Sequence, residues 1–165
     1  MADKVTYSIS VTPQEQLSDE NSGTHYIIAS EVGKSLGGSG VATVADYAGS
    51  AANQGYLNTT VNYMEAIDSG DTTDISSEAT ATFVFIKNTG YTYSSVTALG
   101  VALSKALKVM SGSTLISVLD PGEAIVLKDD NAGIACTGIH VRTVDLDGSN
   151  NTSAGHLAVE YLVVD

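Results

Sequence analysis

The sequence predicts an all-β fold, an antiparallel β-sandwich, on three observations. Short runs alternate apolar and polar residues at period 2; clusters of Gly, Pro, Asn and Asp punctuate them; and no long stretch sustains a helical period without interruption. At 165 residues one domain over 1–165 is expected, large enough to bury about two thirds of the surface its unfolded chain exposes.

The elements follow in order. In "VTYSISV", Val5, Tyr7, Ile9 and Val11 fall on one face and Thr6, Ser8 and Ser10 on the other, as a half-buried strand requires. "THYIIAS" is a second strand candidate. Residues 31–77 differ in texture: "GKSLGGSGVATVADYAGSAANQG" is rich in Gly, Ala and Ser and reads as an irregular insertion. It could be a long ordered loop, a short helix near "VADYAGSAAN" or an extended arm, followed by a strand-like "YLNTTVNYMEAI" and an acidic turn, "DSGDTTDISS". Loops this long are usually functional or ordered by a neighbouring chain. "ATATFVFIKNTG" is apolar on both faces, Phe83 and Phe85 against Val84 and Ile86, which predicts a central strand broken by Asn88-Thr89-Gly90. "SVTALGVALSKALKVM" fits a helical period through Val96, Leu99, Leu103 and Leu107, but Gly100 interrupts it and the surroundings are β, so strands are preferred.

"LISVLDPGEAIVLKDD" is strand, turn, strand. Pro121 presets its φ for the second turn position and Gly122 accepts the positive φ that a type II turn needs next. Type II turns match a tight hairpin poorly, so Asp120–Glu123 is also a candidate corner where the chain passes between sheets. In "GIHVRTVDLDG", Ile139 and Val141 alternate with His140 and Arg142, then the phase slips to Val144 and Leu146, which predicts a β-bulge near Thr143. "HLAVEYLVVD" is the last strand.

Charge narrows the partners. Seven Lys and Arg against 19 Asp and Glu give a net charge of −12, and Lys4, Lys34, Lys87, Lys105, Lys108, Lys128 and Arg142 are scattered, so nucleic acid and anionic membrane are not expected as partners. A single cysteine, Cys136, excludes an intrachain disulfide and a multi-cysteine zinc site; in "IACTGIHV" it reads as a small buried hydrophobe. The opening "MADKVTYSIS" lacks the apolar core of a secretion signal and no run of about 18 apolar residues occurs, so synthesis in a cytoplasm is expected. Asn58-Thr59-Thr60 and Asn150-Asn151-Thr152 are then chance glycosylation matches.

Motifs for chemistry fail on their spacing. Gly33-Lys34-Ser35 would need a glycine where Ile28 stands to close a phosphate loop. "DLDGSNNTSAGH" places Asp145, Asp147 and Ser149 like a calcium loop, but Asn150 replaces the sixth-position glycine and His156 the final glutamate, so a polar turn is expected. Asp68, Asp71 and Asp74 are no better, and His25, His140 and His156 share no metal-ligand spacing. No serine has a nucleophile-elbow context. The expectation is no catalytic residue, no metal ligand and no cofactor.

The order "FVFIKNTG", "LISVLDPGEAIVLKDDNAGIACTGIHV", "AVEYLVVD" resembles a recurrent type of bacteriophage virion protein, small β-sandwiches with an F-I-K-N-T-G strand, an L-x-P-G-E turn and a final V-E-Y strand. The resemblance spans Thr82 to Asp165 and rests on packing and turn motifs. It implies a jelly-roll-like sandwich and a structural role in the virion: a capsid decoration (cement) protein that binds the major capsid protein and copies of itself, as a small oligomer with a trimer favoured. Residues 31–77 are the candidate contact segment. A tail or neck component is the alternative within the class. A carbohydrate-binding sandwich is the alternative outside it; with no Trp, it would need Tyr47, Tyr56, Tyr91 or Tyr93 clustered on one face.

Overall fold

The computed structural model describes residues 3–11, 14–19, 23–28, 36–44, 56–57, 60–67, 73–75, 80–129, 131–150 and 155–164. They are predominantly antiparallel β-structure, as the sequence predicts. Contacts divide the chain into two compact units: Lys4–Thr43, and Val44–Asp165 with Met1–Asp3.

The strands of the first part are β1 (Asp3–Val11), β2 (Gln14–Asp19), β3 (Gly23–Ile28) and β4 (Leu36–Val44). β1 pairs with β4, and β2 pairs with β3. Val5 and Tyr7 are half-buried between exposed Thr6 and Ser8, so the period-2 reading holds there, whereas Ile9 is exposed. A Cβ added at Gly40 would lie 2.5 Å from Tyr7 Oη. Glycine is what lets the tyrosine lie across β4.

The larger unit contains β5 (Tyr56–Leu57), β6 (Thr60–Val61), β7 (Tyr63–Ala66), β8 (Thr73–Asp74), β9 (Phe83–Ser95), β10 (Ala98–Ala102), β11 (Ala106–Ser111), β12 (Thr114–Leu119), β13 (Ala124–Lys128), β14 (Ile139–Val144) and β15 (Leu157–Val164). One sheet runs β10-β9-β15-β7, with β13 pairing the first half of β9 on the edge that β10 takes along its second half. The other runs β12-β11-β14-β8. Val84, Ile86, Leu157, Val159, Tyr161 and Val163 of the first face Leu107, Val109, Ile139 and Val141 of the second in one buried cluster. Burying these side chains, at roughly 1.5–3 kcal/mol each, is the main drive to fold. Cys136 is buried in that cluster, as expected, but in a 3-10 turn, Cys136–Gly138, rather than a strand.

β10 and β11 are strands, so the helical alternative is not taken. The Pro-Gly corner also stands: Gly122 has φ +89° and Glu123 N–H donates to Asp120 C=O (2.9 Å), while β12 and β13 belong to different sheets. Three expectations need correction. Asn88-Thr89-Gly90 does not end its strand; β9 continues to Ser95, and the triplet is a bulge opposite Leu157–Val159 of β15. Gly90, with φ +73°, absorbs the kink. The bulge expected near Thr143 is absent from the β11–β14 ladder, which is regular from Ala106↔Val144 to Ser111↔Ile139. The phase slips because Thr143 takes an inward position as a polar residue. Its hydroxyl donates to Ala66 C=O (2.7 Å) and accepts from Leu157 N–H (3.3 Å). Finally, 31–77 is not wholly an irregular insertion: β4 lies in its Gly/Ala/Ser-rich part and β8, an edge strand, in the stretch read as an acidic turn, while β7, the other sheet's edge strand, falls in the strand-like stretch the sequence predicts. The helix candidate at 44–53 lies, beyond Val44, outside the described residues.

Asn88 carries the connection between sheets. It is fully buried, and its side-chain NH2 donates to Lys105 C=O and Leu119 C=O, both at 2.9 Å, while its Oδ1 accepts from Gly90 N–H at 2.9 Å. Its backbone N–H donates to Glu123 C=O (3.0 Å) and its C=O accepts from Gly122 N–H (2.8 Å). Lys105 and Leu119 are the residues where the chain crosses from β10 to β11 and leaves β12 for β13. One side chain therefore ties both crossings to β9.

Replacing Asn88 by Ala strands two buried carbonyls and one N–H, and is expected to cost roughly 3–5 kcal/mol. Asn88→Asp should be worse at neutral pH, because a carboxylate would face those carbonyls. Its pKa would be raised in the folded state, so stability should recover as pH falls and the acid regains a donor. Denaturant melts at pH 7 and pH 4.5 check both; an Asn88→Asp chain as stable as wild type at pH 7 would refute the assignment.

The glycines give a second test. A Cβ added at Gly122 meets no atom within 4 Å, so Gly122→Val is opposed mainly by backbone strain, on the order of 1–2 kcal/mol. Gly90→Val has the same strain plus a contact of its Cβ with Pro121 Cβ at 3.1 Å, so its melting temperature should fall further. The reverse order in thermal melts would contradict the packing described.

Candidate functional site

The polar residues singled out by sequence that the structure describes make structural contacts. His140 Nδ1 pairs with Asp74 Oδ1, and the two are directly opposite in the β14–β8 ladder. His156, the residue before β15, pairs through Nδ1 with Glu65 Oε1 of β7. Each imidazole thus pins an edge strand to its sheet. His25 lies on β3, in the other unit, and its side chain is outside the described residues. His140 and His156 pair with different carboxylates, one on each sheet's edge strand.

Asp145–Ser149 is a tight polar turn, as expected. Gly148 N–H donates to Asp145 C=O (2.8 Å), Asp145 N–H to Ser149 C=O (3.0 Å) and Ser149 N–H to Asp147 Oδ1 (2.9 Å). Asp145 also pairs with Lys105. The Ser149 hydroxyl and then its N–H hold the Asp147 carboxyl below the usual carboxylate range. Asn131 and Ala132 N–H groups do the same for Asp129. No group of three or more His, Cys, Asp or Glu placed to hold a metal occurs among the described residues. Gly33-Lys34-Ser35, Asp68, Asp71 and Tyr47 lie outside them. Tyr91 is exposed and Tyr93 half-buried, two residues apart on β9; Tyr56 lies on β5 with its side chain outside the described residues.

Sequence reading missed two features. Lys108 and Arg142 stand directly opposite on β11 and β14, so the basic residues are not all scattered. Their separation along the chain hid the pair. The other is the β9–β10 hairpin. From Asn88 to Ser104 there is no charged residue, and Tyr91, Val96, Leu99 and Val101 are four of the eight large apolar side chains exposed among the described residues. All five residues of β10 are exposed. Tyr63 N–H donates to Val96 C=O (2.7 Å), tying the hairpin tip to β7. Gly100 has a local reason: a Cβ there would lie 2.2 Å from Thr92 Oγ1, which accepts the Val101 N–H. The arrangement is an exposed, uncharged apolar patch on a chain of net charge −12.

No family model, no curated protein and no solved structure matches the chain.

Because the Asp147 pKa is lowered by folding, its contribution to stability is present above the unfolded value and is lost as pH falls through the folded one. Ser149→Ala should move it up toward the ordinary range and leave Asp129 where it is. Carboxyl-carbon NMR titrations of both proteins test this; an unmoved Asp147 would show that the hydroxyl is not the main cause.

Proposed function

We propose that the protein is a non-enzymatic structural component of a bacteriophage virion, a capsid decoration (cement) protein that binds the major capsid lattice and copies of itself. What supports this reading is the way the resembling motifs meet. The N-T-G triplet supplies Asn88, the L-x-P-G-E turn supplies Leu119, Gly122 and Glu123 around it, and the V-E-Y strand supplies Glu160, which stands opposite Lys87 and pairs with it at 3.2 Å. The motifs that resemble virion proteins form one interlock whose polar groups are spent on backbone bonds and one ion pair within it. Such a device makes a rigid body that presents its loops and edges to neighbours. A jelly-roll-like path for the sandwich belongs to the same proposal.

On a lattice, many identical weak contacts act together, and a protein that binds only the assembled shell stabilises it by mass action. The test is mass spectrometry and particle density on virions made with and without the gene. Expected are a protein present at lattice stoichiometry and capsids that lose heat resistance without it. Absence from purified particles would end the proposal, and a few copies per particle would move it to the tail or neck.

A further inference from the structure

We propose that two copies of this chain associate edge to edge through β10, antiparallel about Gly100. β10 is an edge strand whose outer side pairs with no strand among the described residues. Exposed strand edges are templates for further pairing, and proteins usually blunt them with charge, proline or bulges. Here the ladder to β9 shifts register on both sides of Leu99, between Ala98 and Leu99 and again across Gly100–Val101, but β10 contains neither a charged residue nor proline. Val101 is 73 % exposed, the most exposed large apolar side chain among the described residues.

Two observations identify the occupant as a second copy. The chain carries −12, so two copies repel wherever their acidic surfaces meet; the uncharged run from Asn88 to Ser104 lets them approach without opposing charges in the contact. The strand is also nearly palindromic: Ala98-Leu99-Gly100-Val101-Ala102. A two-fold contact requires residue i to meet j and j to meet i. An axis through Gly100 sets Ala98 against Ala102 and Leu99 against Val101, matching small with small and branched apolar with branched apolar. The operator is two-fold rather than the three-fold favoured by the resemblance. The inference does not rest on the virion reading: a dimer that ignores capsids would sink that reading and leave this one.

Sedimentation equilibrium of the full chain is the first test. A reversible monomer–dimer equilibrium is expected, tightening severalfold as salt rises and screens the like charges. Leu99→Lys and Val101→Lys should each weaken it by about tenfold or more, since each puts two charges in the contact. Their melting temperatures at low protein concentration should match wild type, because neither side chain is core. Register is tested by oxidation: Leu99→Cys mixed with Val101→Cys should form a cross-linked dimer well above either alone. A monomer at every concentration, a trimer, a dimer indifferent to both lysines, or cross-linking equal in all three samples would each overturn the proposal.

Discussion

The amide of Asn88 holds two of the connections between the two sheets of the larger unit, from β10 to β11 and from β12 to β13. A sandwich built from alternating strands must send its chain from one layer to the other, and each passage leaves backbone groups that no ladder satisfies. Here the passages at Lys105 and Leu119 release two carbonyls into the interior, and one side chain takes both. The same residue sits in the bulge of β9, so the irregularity that would weaken an ordinary strand is what aims the amide. Thr143 works similarly at the other edge, where its hydroxyl joins β14 to β7 and β15. Hydrophobic burial drives the layers together, and these two polar residues fix how they are joined.

How much of this was legible follows from which interactions are local. The Pro-Gly corner was readable because its geometry is set by the two residues themselves. The alternation of β1 and the two-faced apolarity of β9 were readable for the same reason: period 2 is a property of the strand alone. Asn88-Thr89-Gly90 misled because those residue types end strands and also build bulges, and the choice is made by β15, about 70 residues later. Thr143 misled because a polar residue turned inward looks, in one dimension, like a shift of phase. Its partners, Ala66 and Leu157, are 77 and 14 residues away. The hairpin surface escaped notice because an uncharged apolar run reads equally as core until its exposure is known.

Three side-chain pairs of the larger unit link neighbouring strands, two of them at the edge strands β7 and β8. His140 with Asp74, His156 with Glu65 and Lys87 with Glu160 are cross-strand pairs at least partly open to solvent. Such pairs contribute little stability individually, but they help to select strand neighbours and register. β8 is only Thr73–Asp74, and the imidazole contact supplements a ladder of two residue pairs.

The place of β15 has a consequence for how the protein is made. It lies between β9 and β7, yet it follows both in the chain. Thr82 must wait for Val164, 82 residues on, to accept its hydroxyl's hydrogen bond. While the ribosome is still translating, β9 and β7 have emerged without the strand that separates them, and each exposes an edge that could pair wrongly. Pairings this distant in sequence are slow to form, and half-made sheets are prone to aggregation. The larger unit therefore acquires its complete first sheet only after synthesis has passed residue 164, and a chain truncated before Leu157 would lack that central strand.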